Sequence, residues 1–434
     1  MENPIAPPWS RRRFAAGLGL GFGALSCAGR RQAWSAADEE LSRETPPRGG
    51  PFAGLAAFCV DAEPIQASEY AARRERAREL ARAIGVDAIV LEAGVSLYYL
   101  TGVRWGQSER PLLYVLPVEG APLWLGPAFE SGTLGERVGD EGEIHLWEEH
   151  EGPYTQITAR LAALGRVAVD PAMRLFVVDA LRQAARQTHF EIDAGILSGC
   201  RMIKSPAELA LLRRASEATK EALRRAAAEI RVGMSEATIA ELVREAQEAA
   251  GLTDVWTLVL VGSNAAFPHG TNIERVLSPG DAILVDTGGS LHGYRSDVTR
   301  TWFTGKPSAE LRAAWEVVHA AQAAALAAMR PGVSGGSIDE IARQVIDAAG
   351  HGPGYRRFTH RLGHGIGLQV HEDPYLVGGA EVVLAPGMVM SNEPGIYVPG
   401  EFGIRIEDIV AITPSGVEVF GPLSRSIEDP FGVG

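Results

Sequence analysis

The chain repeats itself, and the repeat restricts its fold more than any other feature. Residues 230–251, IRVGMSEATIAELVREAQEAAG, align without a gap on residues 329–350, MRPGVSGGSIDEIARQVIDAAG, at an offset of 99. Arg231, Gly233, Ser235, Ile239, Glu241, Arg244, Ala249, Ala250 and Gly251 meet Arg330, Gly332, Ser334, Ile338, Glu340, Arg343, Ala348, Ala349 and Gly350. Each copy predicts an amphipathic helix opened by a capping box, Thr238 to Glu241 and Ser337 to Glu340, and stopped at glycine. Alanine-rich helices resemble one another by composition alone, but composition does not place the same caps and glycines at the same offset. β-rich segments follow each copy. Two related α+β halves, joined by a pseudo-twofold, are expected to close around one centre.

Five residues occupy those β-rich segments: Asp286 in ILVDTGG, Asp297 in YRSDVTRTW, His364 in HRLGHGIG, Glu393 in SNEPGIY and Glu407 in GIRIEDI. A lone acid is normally a solvated surface charge. These four instead sit in apolar, β-prone or glycine-rich surroundings. Buried together with an imidazole, they would be costly unless a cation compensated them. An oxygen-rich set with one nitrogen suits a pair of divalent ions such as Mn²⁺ better than a thiolate-type zinc site; Co²⁺ and Zn²⁺ are the alternatives. Such a pair acidifies water and polarises a carbonyl. Asp286 ends the apolar run AILVD and Asp297 follows eleven residues later, so a hairpin would bring the two side chains together. The residues read as a dinuclear metal hydrolase.

Taken in order, these motifs resemble the signature of the pita-bread metallopeptidases, the family of methionine aminopeptidase, aminopeptidase P and prolidase. The match runs from IKSPAE, at residue 203, to about residue 415. The resemblance implies a pita-bread catalytic domain over 199–434 with Asp286, Asp297, His364, Glu393 and Glu407 as ligands. Asp297 and Glu407 would bridge the ions, and Glu393 would also handle the proton of the attacking water. It gives His269 and His371 catalytic, substrate-facing roles in stabilising the tetrahedral intermediate, and His360 a role in holding the proline end. Arg405 would pair with a carboxylate near the metals and contribute to substrate binding. Imidazole suits these tasks near neutral pH. His145, His150, His189, His292, His319 and His351 read as structural or surface residues.

Residues 51–198 resemble the N-terminal domain of aminopeptidase P, prolidase and creatinase. SEYAARRERARELARAIG predicts a helix leading into DAIVLEAG, a buried strand; LYYLTGV, RPLLYVLPVEG and APLWLGP read as further strands. In those relatives this domain mediates dimerisation and sometimes lends a residue to the partner's site. A homodimer is therefore expected, with Arg104 or Trp105 as candidates for the residue lent, although ordinary surface or packing roles suit both better. The junction predicts a helix with Ser205 as cap, Pro206 at its first position and Glu208 closing the box.

The first 37 residues stand outside the fold. Ser10, Arg11, Arg12, Arg13 and Phe14 precede a glycine- and alanine-rich run to Gly29, which resembles a twin-arginine export signal. SAA before Asp38 offers a cleavage site, and ALSC ending at Cys27 offers a degenerate lipoprotein box; both endings stay open. Periplasmic or secreted location follows, with residues 38–50 as a linker. Without its first 37 residues, which carry five arginines against one glutamate, the chain's net charge of −13 becomes about −17. That argues against nucleic-acid binding. Cys59 and Cys200 are expected to be unpaired, buried thiols.

The resemblance implies hydrolysis of an Xaa–Pro bond at the N-terminus of peptides, aminopeptidase P-like, with prolidase-like dipeptide cleavage as the alternative. Three other classes share the architecture. Creatinase works without metal, its ligand positions substituted; the five intact here argue against it. A metal-dependent lyase acting on a sulfonium compound would keep them. Non-catalytic pita-bread binding modules lose them.

Overall fold

The computed structural model of the chain describes residues 50–433. The expected export signal, Cys27 and nearly all of the expected linker lie outside the described residues. Among these, no helix is long and apolar enough to cross a membrane.

Helix α1 (Ala67–Ala83) leads to strand β1 (Ala88–Glu92) and helix α2 (Val95–Thr101). Then follow β2 (Leu113–Pro117), β3 (Leu123–Pro127), α3 (Ser131–Val138), β4 (Glu143–Trp147), α4 (Tyr154–Leu161), β5 (Arg166–Val169), α5 (Leu175–Ala184) and β6 (His189–Ile192). The six strands form one sheet in the order β4-β3-β2-β1-β5-β6. Strand β1 is buried at every position, as a central strand covered on both faces must be. The strands expected in DAIVLEAG, RPLLYVLPVEG and APLWLGP are β1, β2 and β3. LYYLTGV is a correction: it forms most of α2, not a strand. A short, mostly buried apolar run shows no period by which the two can be told apart. Gly94 and Gly102 bracket it, Gly102 in the left-handed region at φ 75°. Arg73 and Arg74 of α1 donate to the terminal carbonyls of Tyr99 and Leu100, which would otherwise be orphaned.

Helix α6 (Ile196–Arg201) and the junction lead to α7 (Pro206–Glu229). The Ser205–Glu208 capping box is present as expected, with Pro206 at the first position. One apolar core runs through α2, α7, α8 (Glu236–Ala249) and the following strands, including Leu97, Tyr99, Leu212, Ala215, Ile239, Val243, Val259 and Ile283.

The two halves of the repeat have the same local architecture. The first continues through β7 (Thr253–Val261), β8 (Ala282–Leu291), β9 (Tyr294–Arg295) and β10 (Val298–Phe303). The second comprises α9 (Ala309–Ala328), α10 (Gly335–Ile346), β11 (Gly363–Gly365), β12 (Glu372–Leu376), β13 (Val389–Asn392), β14 (Gly395–Val398), β15 (Phe402–Arg405), β16 (Asp408–Thr413) and β17 (Gly416–Val419). Helices α8 and α10 are capped by Ser235 and Ser334, whose side chains accept from the backbone N–H of Thr238 and Ser337. The caps thus sit three residues before the expected boxes, because Thr238 and Ser337 are the recipients rather than the caps. Gly233 and Gly332 donate to Leu277 and Leu384. Ser235 bridges to Val276 and Ser334 to Val383. The pseudo-twofold therefore extends to individual backbone hydrogen bonds.

Close backbone approach near the centre fixes one glycine. A Cβ on Gly288, in β8, would lie 1.9 Å from the Ser296 carbonyl oxygen, beside Asp297. Gly288→Ala is expected to cost about 3 kcal/mol, as overpacking against rigid backbone does. Urea unfolding measures it; an unchanged midpoint would show that the hairpin yields freely.

Candidate metal centre

Sheet register brings the acids to one place. Strands β8 and β10 pair antiparallel, with Asp286 opposite Thr299 and Thr287 opposite Val298, so Asp297 enters β10 beside Asp286. Strands β13 and β16 pair with Asn392 opposite Asp408, which leaves Glu393 and Glu407 adjacent at the same end. His364 lies on β11, between β12 and β13. Donor atoms of Asp297, His364 and Glu407 all fall within 4.8 Å of one another. His364 Nε2 is 3.6 Å from Asp297 Oδ2 and 3.3 Å from Glu393 Oε1.

One oxygen of each acid is held by the protein, apart from Asp297. Arg405 donates to Asp286 Oδ2 at 2.6 Å, Thr299 to Glu407 Oε2 at 2.7 Å and Ser391 to Glu393 Oε1 at 3.2 Å. His364 Nδ1 lies 3.1 Å from the Gly365 carbonyl. A carbonyl only accepts, so Nδ1 carries a proton, and Nε2 is the nitrogen that faces the acids. Asp286 Oδ1, Asp297 Oδ1 and Glu407 Oε1 are buried without a hydrogen-bond partner. Burial, then the neighbouring carboxylates, pushes Asp297 and Glu407 well above the usual carboxylate range. Burial also pushes Glu393 upward, but the His364 hydrogen bond and nearby positive charges outweigh it and hold Glu393 at about 2. Three orphaned carboxylate oxygens in one buried cluster are what a divalent cation would satisfy. These residues fit a metal site.

The histidines surround the cluster. His371 meets the His364 ring edge-on at 4.2 Å between centroids. Burial, then the charge of His364, holds His371 down at about 4. His360 falls to about 4, chiefly through burial. Its Nδ1 bonds the Arg361 carbonyl and its Nε2 the Tyr397 hydroxyl, each at 2.8 Å. Both His360 nitrogens are thus engaged inside the protein. His269 is exposed and close enough to His360 and His371 to help keep both neutral.

Arg405 pairs with a carboxylate, as expected, but its substrate-binding role needs correction. It is only 2% exposed. It bonds Asp286, Thr299 Oγ1, the Tyr397 hydroxyl and the Pro268 carbonyl, so it braces the cluster rather than facing a ligand. Sequence reasoning missed Thr299 and Tyr397. Thr299 was within reach, because residues i and i+2 of a strand share a face and it follows Asp297 at that interval.

His145 contacts Glu143, His189 lies near Glu191, His292 Nε2 bonds the Ala62 carbonyl and His319 Nε2 that of Ser424. Arg104 stacks on Tyr98 and Trp105 lies beneath Arg137, so packing accounts for both. Cys59 and Cys200 are free and buried, and burial pushes their thiols up to about 11 and 12.

Two family models match the chain: metallopeptidase family M24 over residues 210–414, and the creatinase/prolidase N-terminal domain over residues 73–203. The crystal structure of dipeptidase PepE from Mycobacterium ulcerans is 35% identical, with a TM-score of 0.78 over 82% of this chain and 97% of that one. The Xaa-Pro dipeptidase of Lactobacillus delbrueckii subsp. lactis is 31% identical over 79% of this chain and 95% of its own length. The X-Pro aminopeptidase structure from Thermotoga maritima is 28% identical, with a TM-score of 0.69 over 80% of this chain and 99% of that one.

Proposed function

The chain belongs to metallopeptidase family M24, with a creatinase/prolidase N-terminal domain ahead of its catalytic half, and on that footing we propose that it hydrolyses Xaa–Pro bonds with two divalent ions. The observation that carries the proposal is the set of three orphaned, buried carboxylate oxygens beside His364 Nε2. Asp286, Asp297, His364, Glu393 and Glu407 would hold the ions, Mn²⁺ suiting the oxygen-rich set best. When bound, the pair supplies an acidified water and Lewis acidity toward the carbonyl that precedes proline.

The chain's own residues do the rest. Glu393, its Oε1 held by Ser391, takes the proton of the attacking water at Oε2. His371 is neutral at pH 7 and donates an N–H to the developing oxyanion, with His269 beside it. The ring carbons of His360 meet the proline ring, which has no N–H to satisfy. Aminopeptidase P-like and prolidase-like action share this chemistry. The names of the relatives favour the dipeptidase.

The test uses protein stripped of metal and resupplied with Mn²⁺, Co²⁺ or Zn²⁺. Alanine release from Ala-Pro, Ala-Pro-Ala and Ala-Ala-Ala is then followed. We expect metal-dependent cleavage of Ala-Pro above Ala-Pro-Ala, and none of Ala-Ala-Ala. A preference for Ala-Pro-Ala would restore the aminopeptidase reading. Metal-loaded protein that cleaves no proline peptide would overturn the substrate, leaving the sulfonium lyase next. We also propose that residues 1–37 direct export and that the enzyme is a homodimer. Replacing Arg12 and Arg13 with lysine should retain the protein in the cytoplasm; unaltered export would refute the signal.

A further inference from the structure

We propose that Arg201 and Lys204, at the junction between the two domains, are positioning residues that set the His371 imidazole through Glu372. The proposal rests on the reading of His371 as a hydrogen-bond donor in peptide hydrolysis. Glu372 follows His371 directly and opens β12. Lys204 Nζ, its side chain 1% exposed, donates to Glu372 Oε1 at 2.8 Å. Arg201 pairs with the other carboxylate oxygen and also donates to Gln369 Oε1 at 2.7 Å. One guanidinium therefore clasps the residue two before His371 and the residue one after it.

The loop is built to let this happen. A Cβ on Gly367 would lie 2.5 Å from Glu372 Oε1, so glycine there lets the carboxylate fold back beneath the turn. The pairing of β11 with β12 shifts register between His364 and Gly365, which brings Glu372 opposite Gly365. The junction is docked on the same half: Lys204 N–H donates to the Gly387 carbonyl at 2.8 Å.

A buried ion trio is a weak source of net stability, since desolvation offsets much of its attraction. What it supplies is fixed geometry, because one Arg201 nitrogen donates to Glu372 and Gln369 together while Lys204 holds the other Glu372 oxygen. The geometry fixed here is that of a wall. Arg201, His371 and Glu372 line a cavity of about 540 Å³. Glu92, Asp170 and Asp193, at the carboxyl ends of β1, β5 and β6, line it from the N-terminal domain. His371 therefore faces the space between the domains from a loop held by their junction.

A double-mutant cycle tests this with the full-length metal-loaded enzyme and Ala-Pro. Arg201→Gln should lower kcat by about tenfold to 10²-fold, the scale of an imidazole misplaced by up to an ångström. KM and metal content should hold, the melting temperature should fall with the loss of a buried partner, and Arg201→Lys should recover most of the rate. Glu372→Gln, which keeps the shape and removes the charge, repeats the measurement should Arg201→Gln fold poorly. In a His371→Ala background either change should alter kcat by less than about twofold, because no imidazole remains to be placed. The same fold loss on both backgrounds, or no loss on either, would overturn the proposal while leaving the peptidase reading intact. A His371→Ala enzyme as fast as the parent would remove the role of His371 and this proposal with it.

Discussion

Asp297→Asn should slow Xaa–Pro cleavage by about 10³-fold or more and, in the metal-free protein, raise the melting temperature. The first effect follows from losing a donor to ions that supply several kcal/mol of transition-state stabilisation. The second follows from electrostatics. Asp297 is 4% exposed and its pKa is raised, first by burial and then by Glu407, Asp286 and Glu393. A carboxyl whose folded pKa lies above its unfolded value holds its proton longer in the folded state, so stability falls as pH rises between the two values. Below the ordinary carboxylate pKa the penalty is absent; at neutral pH it is present in the metal-free protein. The metal-free parent should therefore lose stability between pH 5 and pH 8, and the asparagine variant less. With metal bound the order reverses, because ligand that binds only the folded state stabilises it by mass action. Melting curves in chelator and in Mn²⁺, across that pH range, check both signs. A variant of parental activity would remove Asp297 from the site, and one that melts lower than the metal-free parent would refute the charge argument.

Local pattern carried much of this centre, and long-range partners carried the rest. The gapless repeat made the pseudo-twofold visible, because caps and glycines recur at fixed spacing. The apolar run AILVD and the alternation along VTRTWF showed the β8–β10 pair that presents Asp286 and Asp297. The role of Arg405 was legible only through the resemblance, which gave it a carboxylate but not which one: its partner Asp286 is 119 residues away, and Glu407 finds Thr299 across 108. No local propensity specifies such pairs; they exist only after the two halves close. The α2 segment failed for a different reason. Seven residues, five of them consecutively buried, present neither a helical stripe nor an alternation. Its helical state is fixed by flanking glycines and by arginines from α1. The caps were misplaced by three residues because serine and threonine recur at that interval, and only the backbone shows which one accepts.

Asp408→Ala should destabilise the fold by about 3–5 kcal/mol, the cost of leaving buried charge uncompensated. Asp408 is 1% exposed and lies next to Glu407, turned away from the cluster. Arg300 of β10 donates to its Oδ1 at 2.7 Å, Lys220 of α7 lies 2.5 Å from the same atom, and Gln322 of α9 donates to Oδ2 at 2.9 Å. One carboxylate thus joins elements from both halves of the repeat directly behind the centre. Burial raises the Asp408 pKa, but Arg300 and Lys220 outweigh it and hold the group below the usual range. Lys220 is pushed down to about 8 by burial, the attraction of Asp408 only partly opposing this. Arg300 therefore acts more strongly on Asp408 than Lys220 does, and the Lys220–Asp408 pair is charged at pH 7. A carboxyl with a depressed folded pKa contributes stability above its unfolded pKa and loses it as pH falls through the folded value; acid should erase most of the difference between parent and variant. Removing Asp408 at neutral pH strands two buried cations, with Arg300 still hydrogen-bonded to the Glu407 carbonyl at 2.7 Å. The disturbance should therefore reach the centre and weaken metal retention along with the fold. Glu221→Ala, which breaks part-exposed pairs with Arg224 and Arg225, should cost no more than about 1 kcal/mol. Urea midpoints of the two variants at pH 7 decide the matter. Equal small losses would mean that water reaches Asp408 and that the halves are joined by packing alone.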